Sequence, residues 1–238
     1  MNEPVSTFKL FGLTFDIGNM VSLVVVAAIV FFFIFALSRK LQIQPTKKQN
    51  VLEMIVEYTN GLSTNSLSAK NAKPYGLYAF VLFVFLFISN QLGLFLEVAY
   101  NGVTYVKSPT SNPVVTMTLA VMALGLAHFA GVSKLGFKGY FSSTYLKPFK
   151  LWLPLNIFEE FANFLTLGLR LFGNIFAGEL LLGMVSNLAV SNGVVMWIPS
   201  FILGMAWVGF SIFIGTIQSL VFVILTFVYI SQKIQPEE

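Results

Sequence analysis

Five stretches of this chain are apolar for long enough to cross a bilayer, and that feature constrains its fold more than any other. A membrane-crossing helix takes about 20 consecutive apolar residues. Runs of that kind lie at about 17–37, 75–96, 114–132, 155–188 and 194–230. Only 10% of residues are charged, against roughly 25% in a soluble domain. The reading is an all-α membrane protein with five membrane-crossing helices, forming a single integral membrane domain over 1–238. Its net charge of +4 fits loops facing an anionic membrane surface and gives no reason to expect a nucleic-acid partner.

The segment between the first two runs is too polar to cross. Val51, Ile55, Tyr58 and Leu62 recur at helical spacing, while Glu53, Glu57 and Asn60 take other faces. This predicts an amphipathic helix at about 47–69, lying on the membrane surface. Ser133 to Pro154, rich in Gly, Lys and aromatics and punctuated by Pro148 and Pro154, predicts a loop. Ser191-Asn192-Gly193 predicts the turn between the last two spans. No internal repeat is present. The first apolar run ends at Ser38-Arg39-Lys40 without a small-residue cleavage site, so it is expected to be a retained span rather than a signal peptide.

Basic residues set the expected orientation. Arg39, Lys40, Lys47, Lys48, Lys70 and Lys73 lie between the first and second spans. Lys134, Lys138, Lys147 and Lys150 follow the third, and Lys233 follows the last. Lys9 and Lys107 alone fall on the other side. The positive-inside rule then puts the N-terminus outside and the C-terminus in the cytoplasm, a parity that five crossings satisfy. The last two segments, about 34 and 37 residues, give roughly 50–55 Å of helix for a core of about 30 Å. They are therefore read as long and strongly tilted.

Several function classes drop out. With no cysteine, thiol catalysis, disulfides and Cys-based zinc sites are excluded. One histidine, His128, leaves little scope for a metal site or a Ser-His hydrolase. No GxxxxGK[ST] loop offers a nucleotide site. We expect no catalytic residue, metal or cofactor in this chain.

Ionisable groups inside a span cost about 2.5–3.5 kcal/mol each on insertion scales, and mark function by default. The fourth run carries Glu159, Glu160, Asn163, Thr166, Arg170, Asn174 and Glu179. At about 100° per residue, Glu159, Asn163, Thr166 and Asn174 all fall within about 40° of Arg170, forming one polar stripe, whereas Glu179 points about 180° away. The blander reading of Glu159 and Glu160 is acids favoured by a helix start. In the last segment Ser211 and Gln218 share a face, the blander reading of Gln218 being inter-helix glue. In the second, Asn90 and Gln91 are buried polar groups, with Glu97 at the outer end.

Leu169-Arg170-Leu171-Phe172-Gly173-Asn174, continuing Ile175-Phe176-Ala177-Gly178-Glu179-Leu180, resembles the signature of subunit a of F-type ATP synthases. Ser89-Asn90-Gln91-Leu92-Gly93-Leu94 resembles that family's second crossing. Thr216-Ile217-Gln218, with Leu225-Thr226-Phe227-Val228-Tyr229, resembles its final helix. The resemblance implies a stator beside a rotating ring of c subunits, with a b-subunit peripheral stalk and the remainder of the ATP synthase as partners. It implies a multi-pass protein of a bacterial plasma membrane, an organelle inner membrane being the alternative. Two offset half-channels would carry an ion, a proton in our reading, coupling proton-motive force to ATP synthesis or the reverse.

By the same resemblance Arg170 matches the essential arginine facing the ring carboxylates. Asn174, Glu179 and Gln218 match polar pathway positions, and Thr166 stands where the family often has a small hydroxyl residue. Ser211 stands where some bacterial members carry a histidine, so a hydroxyl or water would replace the imidazole. Glu159 and Glu160 both lie closer to the arginine than the family's cytoplasmic exit acid. A free-standing proton-coupled secondary transporter is the alternative, but it predicts inverted repeats and broken helices. A purely structural membrane subunit gives Arg170 no purpose.

Overall fold

A computed structural model of the chain describes residues 7–10, 13–39, 42, 47–95, 98–100, 103–146, 150–191 and 196–234. Lys40, Glu97, Lys147, Pro148, Asn192 and Gly193 lie outside the described residues. Among the described residues, five helices are long and apolar enough to cross a membrane. They are α1 (Ile17–Ser38), α4 (Gly76–Phe95), α5 (Pro113–Tyr145), α6 (Leu153–Ser191) and α7 (Trp197–Ile234). α2 (Lys47–Ser66) occupies the stretch expected to be amphipathic, and the single turn α3 (Ala69–Ala72) follows it. At 39 and 38 residues, α6 and α7 are each longer than the roughly 20 residues that a crossing requires.

Among the described residues, two short β-hairpins are additions to the sequence reading. β1 (Thr7–Leu10) pairs antiparallel with β2 (Leu13–Asp16), and β3 (Val98–Tyr100) with β4 (Val103–Val106), with a bulge at Val98/Ala99. Thr, Val, Phe and Tyr favour strands, but runs of three or four residues are too short for their alternation to register as a pattern. Asp16 ends β2 and caps α1, accepting from the Gly18 and Asn19 N–H groups at 2.9 and 3.4 Å. Those donors have no partner within the helix.

The stretch expected as a loop after the third span is corrected. α5 continues to Tyr145, interrupted where Gly136 takes φ 71°, ψ 157°. Glycine adopts this conformation without the clash a Cβ brings. The Gly and Lys content that read as loop thus marks a break between two helical pieces. Pro154 likewise lies in the first turn of α6, where its missing N–H breaks no helical bond.

Two compact units make up the chain. The first comprises the described residues of 1–40, 84–112 and 171–219. Val26, Leu86 and Leu171 are fully buried in it, with the polar Ser22, Ser89 and Asn90. The Lys107 N–H donates to Ser22 Oγ at 3.1 Å. The second unit comprises those of 41–83, 113–170 and 220–238. Its core holds Leu167, Phe222, Val223, Phe227 and Ile230. α5 buries a stripe of small residues, Ala120, Ala123, Ala127 and Ala130; such stripes let helices approach closely within a membrane. Gly168 serves the same end, since a Cβ there would lie 2.5 Å from Met117 Sδ.

Candidate functional site

In the first unit, polar side chains from three helices converge. Asn174 Nδ2 on α6 donates to Gln218 Oε1 on α7 at 2.7 Å. Asn90 on α4 is 2% exposed and fully engaged. Its Nδ2 donates to the Gly215 carbonyl at 3.0 Å, and its Oδ1 accepts from Thr110 Oγ1 at 2.8 Å. Ser108 Oγ bonds Thr110 Oγ1 and the Ser89 carbonyl. Gln91 Nε2 reaches the Ile212 carbonyl at 3.1 Å. Gly215 makes room for both amides, since a Cβ there would lie 3.2 Å from Gln91 Nε2.

Asn90 and Asn174 border a cavity of about 230 Å³, whose lining also includes Glu179, Trp207 and Ser211. That volume holds several waters, each needing roughly 10–15 Å³. Ser211 Oγ is buried with no protein hydrogen bond among the described residues, and buried hydroxyls require a partner. A water in this cavity would supply one. Asn174, which the helical angle aligns with Arg170, lines the cavity together with Glu179.

Glycine brings the Glu179 carboxylate into place. A Cβ on Gly93 would lie 2.5 Å from Glu179 Oε1 and 2.7 Å from Ser108 Cβ. Gly93→Ala is therefore expected to displace one or both. Overpacking of this kind costs about 1–3 kcal/mol, to be read as a lowered thermal unfolding midpoint of the purified protein. Wild-type stability would show that the close approach is not needed. Sequence reasoning passed over Gly93, Trp207, Ser108 and Thr110. Trp207 Nε1 donates to the Gly178 carbonyl at 3.0 Å, a bond that no local pattern encodes.

The second unit holds the rest of the expected stripe. Glu159, Thr166 and Arg170 are exposed, while Asn163 and Glu160 are half-buried. Arg170 thus differs from the buried charge its apolar surroundings suggest. Among the described residues no ion pair reaches it. Glu160, rather than the stripe member Glu159, is the acid that others surround. Lys233 Nζ bonds Glu160 Oε1, and His128 Nε2 lies 3.6 Å from Glu160 Oε2. His128 Nδ1 in turn hydrogen-bonds the Tyr140 hydroxyl. Lys233 is corrected from a loop charge to a residue of the last turn of α7, 7% exposed. Its partner is 73 positions away, so nothing local signals the pair.

Comparison with known proteins sets the chain as a whole beside a family. The family profile described as ATP synthase A chain matches residues 20–231. ATP synthase subunit a of Pediococcus pentosaceus is 54% identical over 235 residues, covering 99% of both chains. That of Limosilactobacillus fermentum is 56% identical over 237 residues, covering both chains completely. That of Enterococcus hirae is 43% identical over 239 residues, again over both full lengths.

Proposed function

The chain belongs to the ATP synthase A chain family, with a role in the membrane sector of an ATP synthase, and from that premise we propose that it is the stator subunit which carries protons past a rotating ring. Two offset half-channels serve the ring from opposite sides of a bacterial plasma membrane. The N-terminus lies outside and the C-terminus in the cytoplasm, as the loop charges require. The whole chain acts as one membrane domain, with α2 on the surface and α6 and α7 tilted beside the ring. The c ring, the b-subunit stalk and the soluble ATPase are its partners.

The observation that carries this reading is Arg170, a permanent charge on an apolar helix, exposed and without an ion pair among the described residues. A guanidinium keeps its proton in a protein, and a charge in hydrocarbon needs a partner. A carboxylate supplied by another chain meets that need. As a ring carboxylate nears Arg170, the positive charge favours its ionised form. The proton must leave toward one half-channel, and the site reprotonates from the other only after passing. The same charge stops a proton from running straight across. The cavity lined by Asn90, Asn174, Glu179 and Ser211, with Gln218 held by Asn174, is the outer half-channel. Glu159, Glu160, Asn163 and Thr166 line the inner one.

Purification of the intact complex tests the assembly, and vesicle acidification tests the ion. The chain is expected to co-purify with a ring of small hairpin subunits and a soluble ATPase. ATP is expected to acidify inverted vesicles without added Na⁺, and a protonophore to collapse the gradient. Isolation as an active monomer would favour the free-standing transporter. A strict Na⁺ requirement would replace the proton with Na⁺ as the ion.

A further inference from the structure

His128 touches two ionisable side chains at once. Its Nδ1 hydrogen-bonds the Tyr140 hydroxyl, and its Nε2 faces Glu160 Oε2 at 3.6 Å. The other Glu160 oxygen is held by the Lys233 ammonium. Tyr145 packs edge-on against Tyr140, with ring centroids 6.3 Å apart. The groups facing the imidazole are therefore Glu160 from α6, Lys233 from α7, and Tyr140 and Tyr145 from α5. The His128 side chain is 34% exposed, which leaves part of the ring in reach of water.

The fold assembles this cluster from distant parts of the chain. Residues 128 and 140 would be about 18 Å apart along an unbroken helix. The break at Gly136 returns Tyr140 to His128. Gly131 clears the space, since a Cβ there would lie 2.6 Å from the Tyr140 ring. Lys233 is delivered by the last turn of α7, and its own carbonyl would lie 3.1 Å from that same Cβ.

We propose that His128 is a proton-carrying residue of the inner half-channel, taking protons from Glu160 and giving them to water during synthesis, and passing them from water to Glu160 by the same steps reversed when ATP hydrolysis drives the pump. The inference rests on the function proposed above and extends its path beyond the residues that the sequence brought forward. In the resting state the neutral ring keeps its proton on Nδ1, donating to Tyr140 Oη, which leaves Nε2 free to accept. A partner on one ring nitrogen sets which nitrogen carries the proton. When Glu160 is protonated, its proton passes from Oε2 to Nε2, leaving a carboxylate beside Lys233 and an imidazolium. The imidazolium then loses the Nε2 proton to water at its exposed edge, and the ring returns to its starting tautomer. One proton enters and one leaves. Tyr140 and Lys233 are positioning residues: the first holds the ring, the second keeps Glu160 able to accept again.

The test uses inverted vesicles carrying the whole complex, with ATP-driven acidification followed from about pH 5 to 8, the range in which histidine charge changes fall. Positioned acid–base groups contribute about 10²–10⁴-fold, and with water as a bypass His128→Ala is expected to slow acidification about tenfold. Its pH dependence across that range should flatten, while ATP hydrolysis in the presence of a protonophore stays unchanged. Imidazole added to this variant should restore the rate. Pyrazole, a ring of the same size that stays neutral in this range, should not. A wild-type rate and pH profile in His128→Ala, or equal rescue by pyrazole, overturns the proposal. If the alanine variant does not assemble, His128→Gln, which keeps a donor for Tyr140, is read by the same pH criterion. Arg170→Ala runs alongside: acidification by that variant sinks the underlying function, whereas a silent Arg170→Ala beside a normal His128→Ala sinks the histidine alone.

Discussion

Arg170→Ala is expected to abolish ATP-driven acidification of inverted vesicles while the complex assembles in normal amounts. Both halves of this expectation come from the same observation. The side chain is exposed and forms no ion pair among the described residues, so its removal leaves no partner in this chain stranded. In the mechanism proposed above, the effect falls on the approaching ring carboxylate. Two unit charges 4 Å apart interact by about 4 kcal/mol at an effective dielectric of 20. That is a pKa depression of about three units for the carboxylate. On that mechanism the ring site then keeps its proton, and the two proposed half-channels are no longer separated by a fixed charge. Stripped of the soluble ATPase, the variant's membrane sector should conduct protons passively. Arg170→Lys should recover little, because an ammonium loses its proton more readily away from water. Normal acidification by Arg170→Ala, measured by quenching of a pH-sensitive dye, would remove Arg170 from the mechanism.

Breaking the Glu160–Lys233 pair is expected to be the most destabilising polar substitution in the second unit. The Lys233 side chain is 9% exposed and that of Glu160 19%. Glu160→Gln leaves the ammonium buried without its counter-charge, and losing one member of a buried pair costs about 3–5 kcal/mol. The residual exposure of Glu160 argues for the lower end. For a chain of this size the thermal midpoint should fall by on the order of 10 °C. Replacing both groups removes the stranded charge, so Glu160→Gln with Lys233→Met should regain much of the loss. Thermal unfolding of the intact complex provides the measurement. A double variant no more stable than either single variant would show that the pair is not what holds the end of α7.

The five spans were legible because each is a continuous apolar run, and hydrocarbon demands helices of that length with their backbone bonds satisfied internally. Arg170, Glu179, Asn174 and Gln218 stood out as candidates, since a polar side chain in such a run is costly wherever the helix packs. The break at Gly136 was misread as the start of a loop. Glycine is equally at home in a turn and in a positive-φ joint between helices, and no periodicity distinguishes them.

What sequence alone determined, then, is the membrane location, the number of crossings and the charged residues that need a reason to be there. Tertiary structure decided which of those residues meet. It joined Asn174 to Gln218, set Glu179 over Gly93, and chose Glu160 over Glu159 by bringing Lys233 and His128 to it. Helical angles relate residues on one helix only. Partners 44 or 73 positions apart are selected by how helices pack, and that depends on glycines and alanines whose missing atoms leave no mark in a hydropathy pattern.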